Sequence, residues 1–356
     1  MQTQFQKHYI PLVGLAIFAL LFALWAGLLR LGWSLPAFSD LSSMHGPLMV
    51  SGFLGTLIAL ERAVAIRQKW MFAVPIVIGA GWISLLISRS LGALVLITGS
   101  LGALAILSVM VRREPKIHTI TMAIGMLAWV IGNILWMSGL AIYQIVFWWQ
   151  AFLILTIGGE RLELSRILHP TQNQIRLFAL IIAALLEGAV LALFKLDWGA
   201  RLSGLAMLSL SIWFLKNDIA TRNIRHSLPL TRYIATCLFA GFMWLGIGGA
   251  FQLYFGALIA GQYYDAELHA VFVGFVISMI FGHAPIIFPA ILGAPVIFSP
   301  VFYAQLILLH LSLIVRISGD LLSNQVVRQW GGLFNEVAIL LFLGMTIYSI
   351  IKGAKK

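Results

Sequence analysis

Residues 10–29 read IPLVGLAIFALLFALWAGLL, a run without one ionisable side chain that Arg30 closes. At about 1.5 Å per residue a helix of this length covers about 30 Å, the hydrocarbon thickness of a bilayer. The run is too long for the apolar part of a cleavable signal and has no small-residue cleavage site, so it reads as a first membrane span. Outward from it the pattern repeats, giving spans over 9–30, 43–66, 70–89, 91–111, 117–140, 142–166, 175–195, 197–216, 229–257, 264–287, 299–319 and 331–352. The expected fold is all-α: a polytopic transmembrane bundle of about twelve spans forming a single integral membrane domain, 1–356. Composition agrees, because apolar residues make up 61% of the chain and charged residues 10%, where a soluble domain has about a quarter charged. Mean hydropathy is +0.99. The weakest boundary lies between the third and fourth spans, where only Ser88, Arg89 and Ser90 interrupt the apolar sequence.

Lys and Arg set the expected orientation. Arg62, Arg67 and Lys69 follow the second span, and Arg112, Arg113 and Lys116 follow the fourth. Arg161, Arg166 and Arg176 follow the sixth, Lys216, Arg222, Arg225 and Arg232 the eighth, and Lys352, Lys355 and Lys356 close the chain. The opposite loops carry fewer. Both termini are therefore expected in the cytoplasm, in a membrane of the bacterial inner type. The net charge of +11 reads as this topology signal plus contact with anionic lipid, with nothing to support a nucleic-acid partner. The one cysteine, Cys237, sits in an apolar run, which leaves no disulfide framework and no thiolate metal site.

Ionisable residues in hydrocarbon are costly and mark function. Of eight histidines, His8, His169 and His226 fall in terminal or loop segments. His45 opens the second span and His269 the tenth, at matched depth near the outer face. Two neutral imidazoles so placed can each give one axial nitrogen to a b-type haem. Alternatively, each simply donates to a carbonyl at a helix end. Gly46, Gly52, Gly55, Thr56 and Gly274 leave room for close approach. His283, fourteen residues past His269, falls about 40° round an unbroken helix and about 21 Å along it. With His310 and His118 it could hold a second haem or a copper ion, or all three could be hydrogen-bonded histidines shaping helix ends. Glu61-Arg62 and Glu160-Arg161 lie near the cytoplasmic face as ion pairs or a proton path, while Glu187 and Glu336 are further buried acids. Counting nine on from Gly52 reaches Glu61, and nine on from Gly274 reaches His283. Together with Glu160 this hints at a threefold repeat of four helices, although His45 and His269 are then two positions out of register.

Twelve spans with a histidine at the outer end of the second and of the tenth resemble the haem–copper oxidase and nitric oxide reductase superfamily. That resemblance implies three arcs of four helices with a haem between those two spans. The segments His45-Gly-Pro-Leu-Met-Val-Ser-Gly-Phe, Leu268-His269-Ala and Gly282-His283 are more similar to NnrS. So are Arg316-Ile-Ser-Gly-Asp320 and Gly331-Gly-Leu-Phe-Asn335. NnrS is a haem- and copper-containing membrane family associated with the nitric oxide response. The resemblance implies haem b, a possible copper, nitric oxide or another small gas, and a quinone or electron-donor protein as partner. If the chain is an enzyme, it implies an oxidoreductase. Departures from the pattern are clear. The sixth span offers Trp148, Trp149 and Gln150 where oxidases place a copper ligand, the seventh has no histidine, and the tenth has no close His-x-His. His283 also runs into Ala-Pro rather than the usual NnrS continuation. A conventional oxygen-reducing binuclear centre is therefore not expected. The alternative is a cofactor-free, proton-coupled transporter, with the repeat and the helix-breaking Pro285, Pro289 and Pro295 as its marks. No metalloprotease, nucleophile-elbow or phosphate-loop motif is present to support an enzyme acting on lipid.

Overall fold

The computed structural model describes residues 6–38 and 40–354, and these contain helices and loops but no strand. Eleven helices are long and apolar enough to cross a membrane: α1 (Ile10–Leu31), α2 (Leu41–Ile66), α4 (Arg89–Arg113), α5 (Ile117–Met137), α6 (Ile142–Leu168), α7 (Gln172–Ala192), α8 (Leu196–Asn217), α9 (Pro229–Phe255), α10 (Gln262–Leu292), α11 (Phe302–Leu321) and α12 (Gln325–Gly353). The shorter α3 (Lys69–Leu85) completes twelve. The protein is a multi-pass, all-α membrane bundle.

Each helix packs on the next in sequence, and α12 returns to α1, so the order around the bundle is the order along the chain. Within that ring α2, α6 and α10 are the inner helices. Their apolar windows are 67%, 78% and 67% buried, against at most 56% for any other. The spacing of four expected from the Gly52 and Gly274 counts is thus the spacing of the inner helices.

Several expected boundaries move. The third span ends at Leu85 rather than 89, because Ser88 caps α4 by accepting from the Leu91 N–H at 3.4 Å, which draws Arg89 into the next helix. α10 runs on to Leu292 with Pro285 and Pro289 inside it. A proline removes one backbone donor and tends to kink a helix, yet prolines are tolerated in membrane helices whose neighbours re-satisfy the freed carbonyls. Helix α10 ends instead at Gly293, whose φ of 67° is left-handed. α12 starts at Gln325, six residues before the expected 331, and the Gln325 and Gln329 side-chain amides donate to the Leu31 carbonyl at 2.9 and 2.8 Å.

Two segments depart from α-helix. α2 is π-helical over Leu48–Gly55 and α10 over Ala270–Ile277. Gly52-Phe53 and Gly274-Phe275 hold the same places within them. In the π segments a Cβ added at Gly55 would meet the Trp129 ring at 2.4 Å, and one at Gly274 would meet Trp244 at 2.4 Å. Only glycine lets these two indoles lie against the wide turns.

Candidate functional site

The two π segments follow directly on the two histidines. His45 stands three residues before the first and His269 one residue before the second. Their rings lie close together between helices α2 and α10, with centroids 6.2 Å apart and planes 22° from parallel. His45 Nδ1 lies 2.7 Å from the Ala23 carbonyl of α1, and His269 Nδ1 lies 2.8 Å from the Asp265 carbonyl one turn earlier in α10. A carbonyl can only accept, so Nδ1 carries the hydrogen in both rings and the Nε2 lone pairs are left over. The contact expected of an ordinary helix-end histidine is present, and it is the contact that fixes a ligating tautomer.

A metal ion bonded to both rings at about 2 Å from each nitrogen, with each ring centre about 1 Å further, needs centroids about 6 Å apart. The observed centroid separation, 6.2 Å, matches that distance. Both rings line a cavity of about 340 Å³, within the size range of small-molecule pockets. Its walls include Leu24, Val50, Phe272 and Ile339, and its polar edge carries Arg30, Arg316 and Arg328. A Cβ at Gly27 would press on the His45 ring at 3.0 Å and on Glu336 at 3.1 Å, so glycine there makes room for both.

An ion network braces this edge. Arg316 grips Asp265 through Nε–Oδ2 at 2.8 Å and Nη2–Oδ1 at 2.9 Å. Arg328 bridges Asp265 at 3.2 Å and Asp320 at 2.9 Å. These buried charges are paired across α10, α11 and α12, as burial demands. Asp265 was not among the residues singled out from sequence. Its signal was available, an acid four residues before a histidine on one helix face. Arg316 entered only within a quoted motif, and Arg328 was not singled out.

The other histidines are elsewhere. His310 accepts from Trp244 Nε1 at Nδ1, 3.0 Å, so its Nε2–H is the one that faces Ser278 Oγ at 3.4 Å. Ser278 in turn donates to the Cys237 carbonyl at 2.9 Å. Both nitrogens of His310 are therefore engaged within the protein. His118 lies on α5 with Nε2 3.7 Å from Glu114. His283 sits in the last third of α10, its Nε2 buried without a partner. The 40° offset expected between His269 and His283 assumed unbroken α-helix, and the intervening π segment breaks that count. Among the described residues no three His, Cys, Asp or Glu side chains converge as a metal site.

Of Glu61, Arg62, Glu160 and Arg161, only Glu61 and Arg62 stay within ion-pair reach of each other as a dipeptide, while the closer pairings cross between helices. Arg62 of α2 pairs with Glu160 of α6 and lies 3.8 Å from Glu61. Arg161 turns instead to Asp218, with bonds of 2.9 and 2.6 Å. Successive helix residues point about 100° apart, which favours partners on other helices over the adjacent residue. Glu187 lies on an exposed face of α7, and Glu336 lines the cavity.

Residues 9–351 match the model of a family described as a domain of unknown function, DUF8744. The chain belongs to that family. No curated protein matches it.

Proposed function

We propose that this DUF8744 protein holds a b-type haem between His45 and His269 and passes electrons within the membrane. The observation that carries the reading is the close pair at 6.2 Å, with each Nδ1 committed to a carbonyl. Bound there, the haem would supply a one-electron iron couple. His45 and His269 would hold the iron, Arg30 and Arg316 would meet the acidic edge of the macrocycle, and the apolar walls would exclude water. Held by two histidines, the haem would have no position left for a gas, which favours electron transfer. On this reading the relationship to NnrS and the oxidases is one of haem-bearing architecture, and a quinol or a small electron-donor protein is the expected partner. The excess of Lys and Arg in the loops on one side supports a bacterial-type inner membrane with cytoplasmic termini.

The test is an absorption spectrum of protein purified in detergent from haem-replete cells, oxidised and dithionite-reduced. A Soret band with sharp reduced α and β bands is expected, lost or shifted in His45→Ala and His269→Ala. A colourless wild type overturns the proposal and returns the cavity to the transporter reading.

A further inference from the structure

Helix α7 buries one face and leaves the other bare. Phe178, Ile182, Leu185, Ala189 and Ala192 are buried, and α8 comes so close at Gly188 that a Cβ there would collide with Ser203. The opposite face carries Arg176, Leu180, Ala183, Glu187 and Val190, and continues to Phe194 just past the helix end; all six are exposed. These positions are alternately four and three residues apart, the period of a left-handed helix pair.

Glu187 is the odd member of this face. Among the described residues it is the one exposed acid in the spanning helices. The others are paired or turned into the bundle. No ion pair among the described residues includes Glu187. It lies five residues before Ala192, about 8 Å inside that end of the helix. Helical side chains lean toward the N-terminus, so this carboxyl leans deeper into the span, away from the nearer end. Hydrocarbon offers it neither water nor a counter-ion, and acids in membrane helices pair with one another or face the bundle interior.

A carboxyl that keeps its proton both donates and accepts a hydrogen bond. Another copy of the same residue answers both needs. A twofold axis along the membrane normal brings one position of two chains to the same depth with the helices parallel, so no coincidence of sequence is required. Ala183, one turn away on the same face, leaves room for close approach.

We propose that the bare face of α7 is a homodimer interface, on which a second copy of this chain lays its own α7 in parallel and the two Glu187 carboxyls hydrogen-bond to each other. No residue of α7 lines the histidine cavity, so the interface stands or falls apart from the cofactor reading.

The test combines single-molecule photobleaching of the full-length chain in dilute liposomes with disulfide cross-linking in membranes. The wild type should be dimeric. Glu187→Leu should raise the dissociation constant at least tenfold, while Glu187→Gln, whose amide also donates and accepts, should keep most of the association. Position 187 is exposed, so neither side chain needs the fold to repack. With the buried Cys237 replaced by alanine, Ala183→Cys and Val190→Cys should each give a covalent dimer with copper phenanthroline. Phe18→Cys, 59% exposed on α1, should not. A wild type that is monomeric at every protein-to-lipid ratio would overturn the proposal and leave the face to a transmembrane partner with a basic side chain. Dimers that Glu187→Leu leaves unchanged, or that cross-link equally through Phe18→Cys, would do so too. Association lost as fully in Glu187→Gln as in Glu187→Leu would overturn the carboxyl pair.

Discussion

Asp265 and Arg316 form a two-pronged ion pair, at 2.8 and 2.9 Å, while the backbone carbonyl of the same aspartate holds His269 Nδ1 at 2.8 Å. One residue therefore fixes the tautomer of a cavity histidine and anchors a cavity cation.

Asp265→Asn should separate those two duties. The carbonyl remains for His269, but Arg316 and Arg328 lose their shared carboxylate. Removing one partner of a buried pair costs about 3–5 kcal/mol, because it strands the other charge. A fall in the detergent unfolding midpoint is expected, and an unchanged midpoint would show that the network contributes nothing to stability.

His269→Gly should leave a hole the size of an imidazole beside an intact His45. With haem bound, the spectrum should change from six-coordinate low-spin to five-coordinate high-spin, and added imidazole should restore the low-spin form. Because ligation needs a neutral ring with a free lone pair, acidification should release the haem from the wild type, as protons compete for Nε2. A spectrum indifferent both to the substitution and to acid would place the haem somewhere else.

Gly274→Ala puts a methyl group within 2.4 Å of Trp244, which is itself held to His310. Overpacking of this kind costs about 1–3 kcal/mol. Trp244→Leu alongside Gly274→Ala should recover part of the loss, measured by thermal unfolding of the two single variants and the double.

Arg62→Met and Glu160→Leu, tested singly, should each destabilise strongly, since each leaves a charge without its partner between α2 and α6. The double variant should be closer to wild type than the sum of the two. An additive pair in this cycle would mean that the ion pair carries no coupling.

The twelve helices were legible because a bilayer imposes one requirement, about twenty apolar residues per crossing, that composition alone reveals. The His45–His269 pairing was legible from matched depth, because helices running in the same direction bring equal positions together. The Arg62–Glu160 and Arg161–Asp218 exchanges were not, since partner choice between helices depends on rotation about each axis. Proline misled at Pro285 and Pro289, where local preference yielded to packing. The polar cluster of Gln150, Gln252 and Glu267 was invisible for a related reason: three residues on three helices, 102 and 15 positions apart, become a group only when α6, α9 and α10 are assembled. Asp320 appeared only within a quoted motif, yet it is fully buried beneath Arg328.

The paired π segments divide α2 and α10 into halves with independent angular phase. A wide turn accommodates one residue more than an α-helix of the same rise, and one residue corresponds to about 100° of rotation. The half carrying Glu61 or His283 can therefore keep its seating while the half carrying His45 or His269 is turned to face the cavity. Deleting a single residue from Leu48–Gly55 should restore the α-helical count, leave the Arg62–Glu160 end in place, and swing His45 away from His269.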